Sequence, residues 1–474
     1  MPTDFIHEMT WRGLVHQTTG LDELRAHLSS APRKAYVGFD PTAPSLTIGN
    51  LVGIVTLVRF ALAGHAPVIV VGGATGLIGD PSGKSAERTL NTPDTVAANV
   101  QGQTRIYHNV WKNAATLTGK PLGEPPIRNN YDWFKSISFL DALRDIGKHF
   151  SVNMMIQKES VKERLTNRDQ GISYTEFSYM LLQAYDFKHL WEHEGVTFQM
   201  GGSDQFGNIV CGVDLIRRRS NDVVQSVDAY KAVTQSPTAT SIEREEASRL
   251  LAELVEWSDN HPQIGTSFGL TWPLVTKADG GKFGKTETGA IWLTADRTSP
   301  YAFYQFWLNA ADADIVKFLK TFTLLDKDEV DRLEAAHNAN PGAREAHRAL
   351  ARHMTTLLHG AEQTELAEKA AKALFSGEIA DLPLATLEEA LASAPSSTQP
   401  ADTLAAGIPL VDFLVTVGLA ASKRESREFL ANGSVSVNGT KAAPDDRITE
   451  QSLLHGSLTA IRRGKKNWHV ARWR

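Results

Sequence analysis

The pattern of apolar and polar positions changes character along the chain. Between residues 34 and 80 a short apolar run, Ala35 to Phe39, is followed by a helix-like stretch, Leu51 to Ala63, and then by Pro67 to Val71, which ends in Gly72-Gly73. Strand, turn, helix, strand is the order of a parallel sheet with crossover helices. A strand covered on both faces shows no polar alternation, and Val68-Ile69-Val70-Val71 shows none. The segment entering Gly201-Gly202 and the one around Leu270 to Val275 are expected to join the same sheet, so the first part, to about residue 310, reads as α/β. Within it, Arg217 to Thr266 reads as an inserted helical excursion: Val233 to Ala239 is polar and loop-like, and Thr240-Ser241-Ile242-Glu243 is a capping-box pattern opening a helix with Leu250, Leu251, Leu254 and Trp257.

After Pro300 helical spacing takes over. Ile315, Phe318, Leu319 and Phe322 share one face, and Leu350, Met354, Leu357 and Leu358 repeat it beyond the Asn340-Pro341-Gly342 break. Residues 393–407, rich in Ala, Ser, Pro and Thr without a periodic apolar face, read as a linker. From Ile408 the pattern is compact again. A helix runs through Leu410 to Val417, a second carries Lys423, Arg424 and Arg427, and Val435-Ser436-Val437-Asn438-Gly439 reads as a hairpin turning on Asn-Gly. The expected organisation is residues 1–300 with the excursion at about 217–266, a helical region 301–392, the linker, and a small basic domain 408–474.

Composition narrows the class without changing this picture. At 474 residues, 42% hydrophobic and 22% charged, the chain has the make-up of an ordinary globular protein. Its apolar stretches fall well short of the ~20 residues of a membrane helix, so no membrane role is expected. Asp4, His7 and Glu8 stand where a secretory signal would be basic and then apolar, which points to the cytoplasm. The single cysteine, Cys211, rules out an intramolecular disulfide or a multi-cysteine zinc site, and no H-E-x-x-H pattern occurs; a structural metal is not expected. Net charge is -5, but residues 401–474 hold 11 Lys and Arg against 7 Asp and Glu. A basic end on an acidic body suits contact with a polyanion, although a solvated tail would look the same.

Candidate chemistry gathers where strands give way to turns. In Gly38-Phe39-Asp40-Pro41-Thr42-Ala43-Pro44-Ser45-Leu46-Thr47-Ile48-Gly49-Asn50, small and polar residues precede a helix N-terminus, where backbone N–H groups and the helix dipole favour phosphate. Turns in α/β proteins need Gly and Pro in any case. The next junction, Gly72 to Ser85, approaches a P-loop in Lys84-Ser85, but Gly79 and Gly83 are one residue too close. Its glycines still imply close backbone approach to a ligand, with Asp80 as a polar anchor. Tyr179, Gln183 and Asp186 stand at i, i+4 and i+7, which puts a phenol, an amide and a carboxylate on one face of a helix whose surroundings are apolar. Gly201-Gly202-Ser203-Asp204-Gln205 repeats the glycine-then-polar theme. In Lys282-Phe283-Gly284-Lys285-Thr286, after Asp279-Gly280-Gly281, two lysines on a flexible loop suit closure over a polyphosphate, as well as an ordinary surface pair.

Taken in order, these elements resemble the bacterial-type tyrosyl-tRNA synthetases, class I aminoacyl-tRNA synthetases. The likeness runs from Trp11-Arg12-Gly13-Leu14 through Tyr36 to Ala43, Gly72 to Gly83, Asn129 to Trp133, Gly147 to Asn153, Thr175 to Asp186 and Gly201 to Asn208 to the Lys282–Thr286 loop. The end resembles an S4-type RNA-binding domain in Ser422-Lys423-Arg424, Val437-Asn438-Gly439 and Ile461 to Lys466. The fold implied is a Rossmann-type class I synthetase catalytic domain, an α-helical anticodon-recognition domain and a small α+β S4-like RNA-binding domain. The resemblance further implies a cytoplasmic homodimer that joins tyrosine to tRNA through tyrosyl-adenylate, with ATP and Mg2+ as substrate and no tightly bound metal. By motif match, Tyr36 and Asp186 bond the substrate phenol, Tyr179, Gln183 and Asp80 hold its ammonium group, and Asn130 lines the pocket. Gly38, Asp40, Thr42, Gly49, Gly202, Asp204 and Gln205 face the ATP-derived part, and Lys282, Lys285 and Thr286 hold pyrophosphate. Lys423, Arg424, Arg427, Arg462, Arg463, Lys465 and Lys466 face RNA. Where the class I pattern has His-x-Gly-His, this chain has Thr47-Ile48-Gly49-Asn50, so Thr47 and Asn50 donate hydrogen bonds but carry no positive charge. Phe206 stands where the family has Trp. Two rivals remain at this point: an RNA-binding descendant whose catalysis went with the histidines, and another adenylyl-transferring α/β enzyme.

Overall fold

The structure, a computed structural model, describes residues 4–80, 90–158, 161–162, 165, 171–261, 263–281, 283–286, 289–392, 394–464 and 467–474. The chain forms two compact units, residues 1–294 with 316–332, and residues 295–315 with 333–474.

The first unit is built on a six-stranded sheet: β1 (Gln17–Thr18), β2 (Lys34–Phe39), β3 (Ala66–Val71), β4 (Ile127–Asn129), β5 (Val196–Gly202) and β6 (Phe268–Trp272), in the order β1-β6-β5-β2-β3-β4. All neighbours are parallel except the β1–β6 pair. The four strands expected from the apolar runs are present. β1 and β4 have only two and three residues, too short to leave a pattern. β2 lies between β3 and β5, so the chain winds outward in both directions from that pair, and the crevice beyond the carboxyl ends of β2 and β5 is where such a sheet takes a ligand.

The helix Leu51–Leu62 follows β2 and is buried along nearly its whole length, from Leu51 to Phe60, which explains its lack of a polar face. The helix Tyr174–Glu194 precedes β5; Ser173 accepts from Glu176 N to open it, and Gly195 at φ 68° closes it. The expected excursion at 217–266 proves continuous with the fold's own crossover. One helix, Phe206–Gln235, leaves β5, and a second, Ser241–Asn260, returns towards β6, opened by the Thr240–Glu243 capping box. Trp257 on the returning helix stacks on His261 at 4.0 Å, and His261 bonds Glu192 O, which ties the hairpin to the helix before β5.

In the second unit the helices Pro300–Leu308, Glu345–His359, Ala361–Ser376 and Leu384–Ala390 precede two short-stranded sheets. β9 (Ser396–Gln399), β11 (Val435–Val437), β12 (Thr440–Lys441), β14 (Leu458–Arg463) and β15 (Asn467–Trp473) make one in the order β12-β11-β14-β15-β9, while β10 (Ile408–Pro409) pairs with β13 (Arg447–Ile448). A second hairpin, β7 (Lys285–Thr286) with β8 (Gly289–Ala290), belongs to the first unit. The expected turn at Asn438-Gly439 forms, with φ of 51° and 91°, the left-handed pair a tight hairpin needs. The linker reading of 393–407 is corrected. Ser396–Gln399 pairs in parallel with Val470–Trp473, and Ala370, Ile379 and Leu387 of the helical part share one apolar cluster with Leu458, Ala460 and Val470 of the sheet. A strand whose side chains are Ser, Ser, Thr and Gln has no apolar signature, which is why its composition resembles a tether.

Asp312, His337 and His347 also meet in this unit, His347 Nε2 lying 3.2 Å from Asp312 Oδ1. Each imidazole places Nε2 3.2 Å from a backbone carbonyl, Asp312 O or Ala310 O, and leaves Nδ1 buried without a partner. A cation on the Nε2 atoms would leave each Nδ1–H without the acceptor that normally orients a metal-bound histidine. The cluster is accounted for as two histidines hydrogen-bonded to backbone. No helix among the described residues is long and apolar enough to cross a membrane.

Candidate active site

A cavity of about 630 Å³ opens at the carboxyl ends of β2 and β5. Its walls include Tyr36, Asp80, Asn130, Tyr179, Gln183 and Asp186, all the residues expected to hold tyrosine. Gly38, Asp40, Gly49, Gly202, Asp204 and Gln205, expected to face the nucleotide, also line it, together with Thr42, Thr47 and Asn50. Residues 150 positions apart are thus brought to one crevice. Lys282, and Ser82, Gly83, Lys84 and Ser85 of the apparent P-loop, lie outside the described residues, as do the side chains of Lys285 and Thr286.

The inner end is dominated by Asp186. It is 4% exposed and receives Asn130 Nδ2 at 3.1 Å on one oxygen and Trp133 Nε1 at 2.9 Å on the other. Burial raises its pKa to about 8, against the lowering effect of those two bonds, and the charge of Asp40 adds to the rise. Asn130 is held in turn: Ala74 N donates to its Oδ1 at 2.7 Å and its Nδ2 also reaches Thr75 Oγ1 at 3.0 Å. Beside Asp186 the Tyr36 hydroxyl is buried without a hydrogen-bond partner, and burial followed by the charge of Asp186 raises its pKa well above the ordinary phenol value. Gln199, level with Tyr36 on the adjacent strand, has its Oε1 in the same condition. Buried polar atoms without partners cost about 1–3 kcal/mol each, so this wall asks for a polar ligand.

Towards the mouth, Tyr179 Oη donates to Asp40 Oδ2 at 2.8 Å, and Thr75 Oγ1 donates to Asp40 Oδ1 at 2.7 Å. Gly72 permits this: a Cβ there would lie 2.2 Å from Asp40 Oδ1 and equally close to Thr75 Oγ1. Gln205 Nε2 donates to Asp80 Oδ2 at 2.6 Å, and Asn208 Nδ2 donates to Gln183 Oε1 at 3.0 Å. The Asp80 carboxylate, Gln183 Oε1 and the Tyr179 oxygen are acceptors on one wall, which matches a ligand group made only of donors. At the nucleotide side, Thr47 N and Oγ1 both donate to Asn50 Oδ1, at 3.1 and 3.0 Å, closing the turn before the buried helix. Asn50 spends its oxygen there, so its amide nitrogen is the group left to donate to phosphate.

Thr75, Trp133, Gln199 and Asn208 are site residues that the reading of single motifs did not reach. Thr75, Trp133 and Asn208 belong to family-like runs but carry no motif of their own, and the only signal for Gln199 is a polar residue inside a buried strand. Of the residues expected to face RNA, Arg424 and Arg427 are exposed, and Lys423 pairs with Asp412 at 2.8 Å on the surface. Arg462 and Arg463 are half-buried and make contacts within the domain. Arg462 Nη1 donates to Leu374 O at 3.3 Å with its guanidinium over Trp468, and Arg463 Nη1 donates to Leu419 O at 2.7 Å over Phe429. Lys465 and Lys466 lie outside the described residues.

Comparison with known proteins agrees with this geometry. Residues 29–376 match the model of class I tRNA synthetases (W and Y), and residues 387–471 match the tyrosine–tRNA ligase SYY-like C-terminal domain. The tyrosine–tRNA ligase of Bacillus caldotenax is 45% identical over 99% of this chain and 100% of its own length, and that of Dechloromonas aromatica is 45% identical over 99% and 98%. Among solved structures, a C-terminally truncated mitochondrial tyrosyl-tRNA synthetase from Aspergillus nidulans superposes with a TM-score of 0.64 at 28% identity, covering 79% of this chain and 94% of that one. With both models matched end to end along it and full-length relatives at this identity, the chain belongs to the class I tRNA synthetases, in the family of the bacterial tyrosine–tRNA ligases.

Proposed function

We propose that the protein activates L-tyrosine with ATP, releasing pyrophosphate, and transfers the tyrosyl group from the adenylate to the 3'-terminal adenosine of tRNA(Tyr). The observation that carries the reading is the unpartnered Tyr36 hydroxyl beside a buried Asp186. A substrate phenol entering there supplies a donor and an acceptor at once, and phenylalanine would leave the Tyr36 hydroxyl without a partner. Selection by buried polar groups of this kind is a behaviour for which tyrosyl-tRNA synthetases are themselves the reference example. At the other end of the amino acid, the acceptors of Asp80, Gln183 and Tyr179 receive the three N–H donors of its ammonium group.

Held so, the tyrosine carboxylate points towards the nucleotide wall of Asp40, Thr42, Gly49, Gly202, Asp204 and Gln205. Attack of a carboxylate oxygen on the α-phosphorus forms the mixed anhydride and expels pyrophosphate; no enzyme nucleophile takes part. The protein contributes position and stabilisation of charge spreading onto the leaving group. The Asn50 amide, oriented by Thr47, donates a hydrogen bond, and Lys282, Lys285 and Thr286 supply cationic and hydroxyl contacts to pyrophosphate. ATP binds as its magnesium complex, the ion neutralising phosphate charge near the exposed Asp204. In the second step the adenosine hydroxyl displaces AMP from the same position.

Arg424 and Arg427, exposed on the helix Lys423–Ala431, are the RNA contacts of the C-terminal domain, and the helical region reads the anticodon. The active species is a cytoplasmic homodimer. Tyr131, Phe139, Leu140, Val152 and Tyr174 are each 44% exposed or more within one stretch of the first unit, an apolar surface that a second copy would cover. The deciding experiment is ATP–pyrophosphate exchange with tyrosine, phenylalanine or no amino acid. Exchange that depends on tyrosine supports the reading and shows that Thr47 and Asn50 suffice in place of two histidines. A folded protein that binds tRNA and exchanges nothing above background would instead be an RNA-binding descendant.

A further inference from the structure

The loop that carries the two lysines is anchored through an aromatic ring. Phe283, between Lys282 and Gly284, lies 5.0 Å from the ring of Phe318 and 5.1 Å from that of Phe322, stacked on the latter at 24°. Phe318 and Phe322 are 3% and 0% exposed and meet each other edge to face at 6.0 Å. Both stand on the helix Ile315–Phe322, whose Lys317 Nζ also donates to Thr276 O at 2.8 Å, at the opposite foot of the loop. Between the feet runs Asp279-Gly280-Gly281, with Gly280 at φ 78°. One helix therefore holds both Thr276 and Phe283, on either side of that turn.

That helix is itself fixed from the catalytic side. Arg59 Nη2 donates to Thr321 O and Thr323 O, both at 2.8 Å, and Arg12 reaches Lys320 O at 2.9 Å and Leu325 O at 2.6 Å. Two buried guanidinium groups thus take up the carbonyls at the helix C-terminus, where cations are favoured. Arg59 sits on the helix Leu51–Leu62, the element that opens at Thr47–Asn50. Beyond Phe283 the backbone is laced to that same turn: Ile291 N donates to Gly284 O and Ile48 N to Ile291 O, each at 3.0 Å. The approach is close enough that a Cβ on Gly284 would lie 2.5 Å from Ile48 Cγ2.

We propose that Phe283 is a positioning residue for adenylate formation, its seat on Phe318 and Phe322 fixing the Phe283-Gly284 backbone against the Thr47–Asn50 turn. The inference rests on the tyrosine-activating reading above. Phe283 also lines the cavity on its nucleotide side; as a positioning residue it acts through the loop. Replacing Phe283 with Ala should lower kcat/KM for ATP in pyrophosphate exchange by about 10- to 100-fold, the order that a 1 Å misplacement costs. Tyrosine affinity, measured by fluorescence titration, should stay within about twofold, and Phe283→Leu, which keeps an apolar anchor, should recover most of the activity. Limited trypsin digestion gives a readout independent of catalysis: cuts after Lys282 or Lys285 should come several-fold faster in Phe283→Ala. Unchanged exchange with faster cutting would overturn the positioning role, and an equal loss of tyrosine affinity would show a merely structural one. Unchanged cutting would show that the seat does not hold the loop. Wild-type protein without tyrosine-dependent exchange would defeat the functional reading instead, while the cutting rates would still decide whether Phe283 is the anchor.

Discussion

At the scale of single residues, the inner end of the cavity holds polar groups in an unfavourable state that a ligand relieves. The Tyr36 hydroxyl is buried without a partner, so Tyr36→Phe should stabilise the empty protein by about 1 kcal/mol while weakening tyrosine about 10-fold. Urea unfolding without ligand, set beside a tyrosine titration, checks both signs; a less stable empty variant would mean that the hydroxyl already has a partner. Asp186 makes the companion case through its proton. Its folded pKa, raised by burial to about 8, exceeds the ordinary carboxylate value of 3.8, so between those limits the folded state holds a proton that the unfolded state has lost. The stability this contributes is complete at acid pH and is lost as pH rises towards 8. Wild type should therefore lose stability relative to Asp186→Asn as pH rises from 5 to 8. Apparent Tm values of the two proteins in matched buffers give the difference directly, and a constant gap across that range would sink the assignment.

At the scale of elements, what was legible in the chain follows from what each element buries. β3 and β5 are covered on both faces, and their sequences are apolar enough to be recognised as strands. The helix Tyr174–Glu194 was legible as a site because Tyr179, Gln183 and Asp186 interrupt an otherwise apolar surface at helical spacing. The capping box at Thr240 fixed one helix start to the residue, since reciprocal side-chain bonding has few sequence solutions. Among the elements that escaped are three strands. β1 and β4 are too short to show a period, and β9 is polar because its contribution is backbone pairing with β15. The hairpin at 217–266 was visible as helix, but its continuity with the helix that leaves β5 was not, because where a helix starts relative to its parent strand leaves no mark on composition. Arg462 and Arg463 show the same limit for side chains. Charge is a property of sequence, but whether a guanidinium meets solvent or the carbonyl of Leu374 is decided by packing.

At the scale of the whole molecule, the cavity lies wholly within the first unit, whereas Arg424 and Arg427 lie in the second, so activation and tRNA contact should separate by mutation. Removing residues 405–474 is a poor way to separate them. The cut takes away β15, the partner of β9, and Leu458, Ala460 and Val470, which share an apolar cluster with Ala370, Ile379 and Leu387 of the part that remains. Losing several buried apolar contacts at once is costly, so the truncated protein should be less stable in its helical part, and a loss of charging could not be separated from that loss of stability. Arg424→Ala with Arg427→Ala removes two exposed cations from one helix face and leaves that cluster untouched. The double variant should keep tyrosine-dependent pyrophosphate exchange and its apparent Tm, but bind tRNA more weakly. The slope of log affinity against log salt should fall by about 2 if each arginine neutralises one phosphate. An unchanged slope with unchanged charging would remove this helix face from the RNA contact. A fall in exchange as large as the fall in charging would mean instead that the two units do not divide the reaction between them.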